Sequence, residues 1–183
     1  MHIIDEIFAN MRRNAHVEYG ERVTIVAHSV QTAVFAERDG ADDLMIAAAF
    51  LHDYGHFVHD MGEDIAEQGI DAIHEELGAE ALRDYFIPAV IEPMRLHVAA
   101  KRYLVATDEE YVKNVSPASM LSLQVQGGPY DEAEIAEFEA NPFFKRAIQL
   151  RLYDEAGKIP DMEVPDLEYY QPFLAKALIA NTP

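Results

Sequence analysis

Apolar residues recur at helical spacing along most of this chain. In residues 21–38 they follow one another at steps of three and four, the period of one helix face, at Val23, Val26, Ala27, Val30, Val34 and Phe35. Residues 42–51 are almost wholly apolar after an acidic start, which predicts a buried central helix. The same patterns predict further helices over 74–86, 89–104, 131–140, 143–156 and 166–180.

Turn and capping residues divide these helices. Ser116 and Pro117 suit the N-cap and first position of another helix, and the following Gly127, Gly128 and Pro129 end it. Residues 157–165 are predicted to form an ordered loop. Alternating β-branched runs are scarce, and no repeat or linker interrupts the pattern. We therefore predict an all-α fold in one domain, a single helical bundle over residues 1–183.

Composition narrows the classes of function. The 183 residues include no cysteine, so disulfides, thiolate nucleophiles and cysteine-bound zinc are excluded. The 33 Asp and Glu residues against 14 Lys and Arg give a net charge of −19, which repels phosphate backbones and argues against nucleic acid as a partner. No secretory leader or membrane span is visible in the sequence. We expect a cytoplasmic protein with no membrane partner.

The clearest chemical signal is the adjacent pair His52-Asp53 at the end of the apolar helix. An ionised carboxylate in such surroundings is costly unless its charge is compensated, and a metal ion compensates it well. Neighbouring helix positions point about 100° apart, so the two side chains can contact neighbouring ions. Gly55 is predicted to end the helix. A local His–Asp hydrogen bond would also explain the pair, though not the other histidines.

Further histidines and an aspartate complete the pattern, in the order His28, His52-Asp53, His74, His97 and Asp154. Any one of these histidines alone would more often be a hydrogen-bonded core residue than a ligand. As a set, spread over nearly the whole chain, they resemble the HD superfamily of metal-dependent proteins. The resemblance implies two metal ions. Asp53 would bridge them, with His28, His52 and Asp154 on one ion and His74 and His97 on the other.

Residues beyond the ligands are similar to the mixed-valent diiron oxygenases of that superfamily that cleave phosphonates. Lys101 lies four residues after His97 and His56 four after His52, and positions i and i+4 share a helix face. The resemblance makes His56, Lys101 and Ser119 contacts of an anionic substrate group, with Ser122 a further candidate. Glu21 and Tyr19 would hold the substrate's ammonium group. A solvated lysine and a helix-packing serine are the ordinary alternatives for Lys101 and Ser119.

The resemblance implies an oxygenase. It would use an Fe(II)/Fe(III) pair and dioxygen to cleave the C–P bond of a small 1-hydroxy-2-(amino or trimethylammonio)ethylphosphonate, releasing phosphate and glycine or glycine betaine. An upstream hydroxylase would supply the substrate. The leading alternative is an HD phosphohydrolase acting on a nucleotide or another phosphate ester, which needs the same ligands. Because only Lys101 is expected beside them, the small substrate is favoured. A non-catalytic, ligand-sensing HD module is a third hypothesis.

Overall fold

The computed structural model describes residues 2–17, 23–58 and 73–180. Within these ranges the chain forms eleven α-helices and no strand, with one isolated β-bridge between Phe86 and Leu178. The all-α prediction is confirmed. The helices are α1 (Ile3–Arg13), α2 (Ile25–Arg38), α3 (Asp43–Leu51), α4 (His74–Leu82), α5 (Pro88–Arg95), α6 (His97–Thr107), α7 (Glu109–Asn114), α8 (Pro117–Val125), α9 (Glu132–Glu139), α10 (Phe144–Ala156) and α11 (Gln171–Ala177).

The predicted central helix is α3, and it lies at the centre of the main core. It is capped at its start by Asp42, whose side chain accepts from the Met45 N–H. Every residue from Met45 to Leu51 is buried, and α2, α5, α10 and α11 pack around the helix. Phe50 stacks on Tyr170 with ring centroids 5.0 Å apart. Complete burial of a side chain of this size contributes roughly 1.5–3 kcal/mol, so this packing fixes the end of α3 that carries the His-Asp pair.

Several predicted boundaries are wrong for identifiable reasons. The 89–104 helix is broken at Leu96 (φ −96°, ψ 0°) into α5 and α6, and the new helix begins on His97. The 74–86 helix ends at Leu82, and 166–180 begins with a 3-10 turn before α11. Helices α1 and α7 were not predicted. The periodic apolar face of α1 was overlooked, although Ile3, Ile4, Ile7, Phe8 and Met11 are all buried. Helix α7 is short and has one buried residue, Tyr111.

Gly55 does not end the helix as predicted. Helix α3 stops at Leu51, and Gly55 lies in the 3-10 turn Tyr54–Phe57. A Cβ atom there would lie 1.9 Å from the His74 carbonyl oxygen, so the glycine permits α4 to pack closely against this turn.

The predicted cap of α8 is confirmed, because Ser116 accepts from the Ser119 N–H and Pro117 follows it. Gly127 and Gly128 follow that helix with positive φ angles of 96° and 74°.

Candidate metal centre and adjoining cation cluster

Five helices bring the six predicted ligands together. His28 lies on α2, His52 and Asp53 follow the last residue of α3, and Asp154 lies on α10. The remaining two are the first residues of α4 and α6, His74 and His97. All six side chains are buried. The break that separates α5 from α6 therefore has a consequence for the site, since it places His97 at a helix start facing the other ligands.

The ligand atoms form two groups. In the His28 cluster (His28, His52 and Asp154), the Nε2 atom of His28 lies 3.2 Å from Nε2 of His52 and 3.3 Å from Oδ1 of Asp154. In the His74 cluster (Asp53, His74 and His97), the two Nε2 atoms lie 3.1 Å apart. The ligand atoms of an ion bound at about 2.1 Å stand about 3 Å apart at right angles, so each cluster fits one metal ion.

Asp53 lies between the clusters with one carboxylate oxygen directed at each. Its Oδ2 atom is 3.3 Å from Nε2 of His28 and 3.2 Å from Nε2 of His52. Its Oδ1 atom is 3.3 Å from Nε2 of His74 and 3.5 Å from Nε2 of His97. This arrangement is the one a bridging carboxylate requires. It arises because α3 ends at Leu51, which releases Asp53 from helical geometry (φ −100°, ψ 17°).

Hydrogen bonds on the outer side of the rings fix their orientation. The Nδ1 atoms of His28, His52 and His97 lie 2.8, 2.9 and 2.6 Å from the carbonyl oxygens of Gly157, Ala49 and Met94. A carbonyl oxygen only accepts, so each Nδ1 carries a proton and donates it. Each Nε2 is therefore left to accept a metal ion, the arrangement common among ligating histidines.

Buried acceptors face one another across the site. Both oxygens of Asp53 and the Oδ1 atom of Asp154 are buried without a hydrogen-bond donor in the described part of the chain. Leaving such atoms unpaired is costly. Metal ions between these oxygens and the inward-facing Nε2 atoms would satisfy all of them, so the donor set fits two cations of the kind that imidazole and carboxylate bind.

The pKa values of the candidate ligands differ from one side chain to the next. Burial opposes protonation of His28, but the carboxylates of Asp154 and Asp53 close to its Nε2 atom outweigh that effect and raise its pKa to about 9. Burial and the neighbouring charge of His74 lower the pKa of His97 to about 3. Burial opposes ionisation of Asp53, but the charge of His52 and the close approach of His28 hold its pKa well below the usual value. The pKa of His74 is raised, because Asp53 outweighs its burial, so the strongest contrast is between His28 and His97.

A cluster of cations adjoins the ligands, and it contains more than the predicted lysine. The interpretation that Lys101 is the only cation beside the site is wrong. Arg151 on α10 is 3 % exposed and donates to Oδ2 of the ligand Asp154. Its other donors reach Glu155, Tyr111 (2.7 Å) and Ser119 (3.0 Å). Arg151 thus ties the candidate ligand Asp154 to α7 and α8, and its i, i+3 spacing to Asp154 was the sequence signal for this pairing.

Lys101 and Ser119 occupy the same region. Lys101 is buried and donates to the Ser122 hydroxyl at 2.7 Å. Burial, together with the charge of Arg151, lowers its pKa to about 7. The Ser119 hydroxyl donates to Glu155 at 3.1 Å and accepts from Lys158 at 2.6 Å.

His56 lies beside the site, but not on the helix face that it was predicted to share with His52. Because α3 ends at Leu51, residues 52 and 56 do not share a helix face. The His56 ring instead stacks on the His74 ring, with centroids 4.3 Å apart. The other two predicted substrate contacts, Tyr19 and Glu21, lie outside the described residues.

Comparison with known proteins agrees with this geometry. The HD domain family model matches residues 25–121. The chain belongs to the HD domain family. It is 44 % identical over 175 residues to the [1-hydroxy-2-(trimethylamino)ethyl]phosphonate dioxygenase (glycine-betaine-forming) of Leisingera caerulea, covering 95 % of this chain and 89 % of the relative. It is 41 % identical over 168 residues to the hydroxymethylphosphonate dioxygenase of Gimesia maris, covering 91 % and 84 %.

These relatives confirm the resemblance to phosphonate-cleaving HD oxygenases. The match to the HD model covers five of the six candidate ligands, His28 through His97, whereas Asp154 and the cation Arg151 lie beyond it. Among the described helices, none combines the length and the apolar composition needed to cross a membrane.

Proposed function

We propose that this protein is a diiron oxygenase that cleaves the carbon–phosphorus bond of a small 1-hydroxy-2-(amino or trimethylammonio)ethylphosphonate. It would hold two iron ions in a mixed-valent Fe(II)/Fe(III) state. The observation that carries the proposal is the position of Asp53, with one oxygen 3.2–3.3 Å from the imidazoles of the His28 cluster and the other 3.3–3.5 Å from those of the His74 cluster. Two similar relatives named as phosphonate dioxygenases support the choice of substrate.

The proposed reaction balances with dioxygen alone. The hydroxyphosphonate dianion and one O₂ yield a carboxylate, hydrogen phosphate and one proton. The C–P bond and one C–H bond break, carbon gains an oxygen and phosphorus gains the other. Glycine is the carboxylate product from the primary amine, and glycine betaine is the product from the trimethylammonium compound. No separate reductant is consumed.

The iron pair would supply the site at which dioxygen is reduced and the substrate oxygens are bound. The protein's own groups would hold and orient the reactants. His28, His52 and Asp154 would bind one ion, His74 and His97 the other, and Asp53 both. These residues would hold the ions and the substrate so that the reacting carbon lies where dioxygen is reduced, and proximity would supply much of the rate.

The rest of the substrate would be held by side chains around the metals. Lys101, Ser119 and His56 would contact the phosphonate. Charge-assisted hydrogen bonds are the strong ones, and Lys101 is buried where its charge is little screened. Glu21 and Tyr19 would hold the ammonium group, by charge and by cation–π contact when it is trimethylated. The hydroxyl on the reacting carbon implies that a hydroxylase acts before this enzyme.

Phosphate release separates this proposal from the phosphohydrolase. We would give the iron-loaded protein 1-hydroxy-2-(trimethylammonio)ethylphosphonate or its unmethylated analogue, with and without oxygen, and measure phosphate and oxygen uptake. Release that needs oxygen, with one O₂ consumed per phosphate, is expected. Oxygen-independent phosphate release from nucleotides, with none from either phosphonate, would establish the hydrolase instead. Arg151 is a second cation beside the site, and it would suit a nucleotide phosphate as well as a phosphonate. The nucleotide control is therefore required.

A further inference from the structure

Glu75 is a nearly buried carboxylate at the start of α4 that the sequence pattern does not single out. It follows the candidate ligand His74 directly and is 9 % exposed. Its Oε2 atom lies 3.6 Å from Nδ1 of His74, which is an ion-pair distance. The Nε2 atom of the same ring faces Asp53 and His97. Glu75 therefore faces the outer side of the His74 ring, away from the ligand atoms.

This outer partner distinguishes His74 from the other three candidate ligand histidines. The Nδ1 atoms of His28, His52 and His97 donate to neutral backbone carbonyls, whereas the group beside Nδ1 of His74 carries a full negative charge when ionised. A carboxylate behind a ligating imidazole fixes the tautomer of the ring and strengthens it as a ligand. His74 is the candidate ligand that such a carboxylate adjoins.

The position of Glu75 corresponds to a shortage of negative charge in the His74 cluster. That cluster contains one carboxylate, Asp53, while the His28 cluster has Asp154 as well. Its two histidines begin α4 and α6, and the start of a helix carries a partial positive charge that opposes a bound cation. Glu75 adds a second negative charge on the side that has fewer.

An acidic residue in the first turn of a helix has an ordinary role, which is to offset the helix dipole. Glu76 occupies the same turn of α4, so it shares this role. Its side chain, however, is 52 % exposed and pairs with Arg95 at 3.2 Å. The two neighbouring glutamates therefore separate the general effect on the helix from a specific effect on His74.

We propose that Glu75 is a positioning residue that sets the affinity and the reduction potential of the metal ion in the His74 cluster. It orients the His74 ring, strengthens the bond from its Nε2 atom and favours the more oxidised state of the ion, because nearby negative charge stabilises the higher positive charge. The part of this inference that concerns the potential rests on the proposed function, since it takes the ions to be iron.

Metal affinity is the first measurement. We would titrate the metal-free protein with Fe(II) in competition with a chelator, without oxygen, to obtain a dissociation constant for each site. Glu75→Gln keeps the size of the side chain and removes its charge. It should weaken one site 10–100-fold, the usual cost of losing an outer partner, and leave the other unchanged. Asp154→Asn should weaken the opposite site, which assigns the first one to the His74 cluster. Glu75→Asp should retain most of the affinity, and the matched control Glu76→Gln should change neither constant.

The reduction potential is the second measurement. We would follow the electron paramagnetic resonance signal of the mixed-valent pair as the applied potential is varied. Glu75→Gln should raise the potential by about 59 mV for each tenfold by which it weakens Fe(III) binding more than Fe(II) binding. Glu75→Asp and Glu76→Gln should stay close to the parent protein.

Two results would overturn the inference. One is a Glu75→Gln protein with the affinities and the potential of Glu76→Gln, which would leave Glu75 with the dipole role alone. The other is equal weakening of both sites by Glu75→Gln, which would indicate general structural damage. If the parent binds two iron ions but releases no phosphate from a hydroxyphosphonate, the proposed function fails, while the comparison of affinities still decides the role of Glu75.

Discussion

The two ligand clusters share one carboxylate but are built differently. With Asp53 counted on both sides, the His28 cluster offers four ligand atoms and the His74 cluster three. The first has a second carboxylate, Asp154, which Arg151 holds in place. The second has none and lies at the starts of α4 and α6. Carboxylates compensate cationic charge directly, so we expect tighter metal binding at the His28 cluster and more free coordination positions at the His74 cluster.

The pKa values reflect the same difference. Two carboxylates next to His28 raise its pKa to about 9 despite its burial, whereas burial and the charge of His74 lower that of His97 to about 3. The carboxylates that favour a proton on His28 also attract a metal ion, although the two compete for the same Nε2 atom. The pKa of His74 is raised as well, so the charges nearest each ring decide its pKa.

The largest expected effect comes from removing the residue that the clusters share. Asp53→Ala should lose both metal ions and all activity, because each cluster loses an anionic ligand. Metal content by elemental analysis and circular dichroism of the purified variant would test this. Asp43→Ala, on the exposed start of α3 and paired with Lys176, is the matched control and should keep its metal. Full metal content in Asp53→Ala would refute the site assignment.

A pair of glycine substitutions should damage the clusters one at a time. In Gly55→Ala, the new Cβ would lie 1.9 Å from the carbonyl oxygen of His74, so α4 must shift and the His74 cluster should lose its ion. In Gly157→Ala, the new Cβ would lie 2.6 Å from Oγ1 of Thr32, and the Gly157 carbonyl that orients His28 moves with it. The His28 cluster should then bind metal more weakly.

Metal titration would distinguish these variants. Each should keep one tight site and lose or weaken the other, with activity falling to background in Gly55→Ala. Thermal unfolding measured alongside would show whether the fold survives. Identical metal stoichiometry and affinity in both variants would contradict the idea that the two clusters are held by separate backbone contacts.

These glycines mark the limit of what the sequence could predict. The central apolar helix and the Ser116 cap follow from local pattern, whereas the six candidate ligands follow from the resemblance of their order to the HD superfamily. The break at Leu96 and the early end of α3 depend on packing between elements distant in sequence, and so does the reason for Gly55. Arg151 and Lys158 were missed because charged residues usually face solvent, and the spacing of Arg151 from Asp154 does not by itself predict burial. Their burial depends on α7 and α8, which no local pattern relates to α10.

A smaller effect is expected from the contact behind Asp154. Arg151→Met removes the donor that fixes Oδ2 of this ligand, and loss of such outer contacts typically costs 10–100-fold in metal affinity. The weakening should be confined to the His28 cluster. Competition with a chelator would measure it, with Arg83→Met as control, since Arg83 is exposed and paired with Glu80 on α4. Equal loss of metal affinity at both clusters would contradict the prediction that Arg151 acts on the His28 cluster alone.

The smallest effect concerns stability, and its sign depends on pH. Burial lowers the pKa of Lys101 from 10.5 to about 7, so the unfolded chain binds its proton more readily than the folded protein does. The resulting penalty on folding is complete below about pH 7 and disappears as the pH rises toward 10.5. Lys101→Met should therefore stabilise the metal-free protein by about 1–2 kcal/mol near pH 6.5, the order seen when buried charges are replaced by apolar side chains.

The advantage of Lys101→Met should shrink as the pH approaches 10, and thermal unfolding of both proteins across that range would show it. The same variant should bind methylphosphonate more weakly once loaded with iron, because the anion loses a buried cation. The control Lys113→Met removes an exposed lysine paired with Glu110, and it should alter neither the stability nor the binding of methylphosphonate. A Lys101→Met protein less stable than its parent near pH 6.5 would mean that the Ser122 hydrogen bond outweighs the cost of the buried charge. Lys101 would then be a residue that weakens the fold but strengthens substrate binding. Its role would lie in the reaction, at the side of the site where the candidate ligands leave room for the substrate.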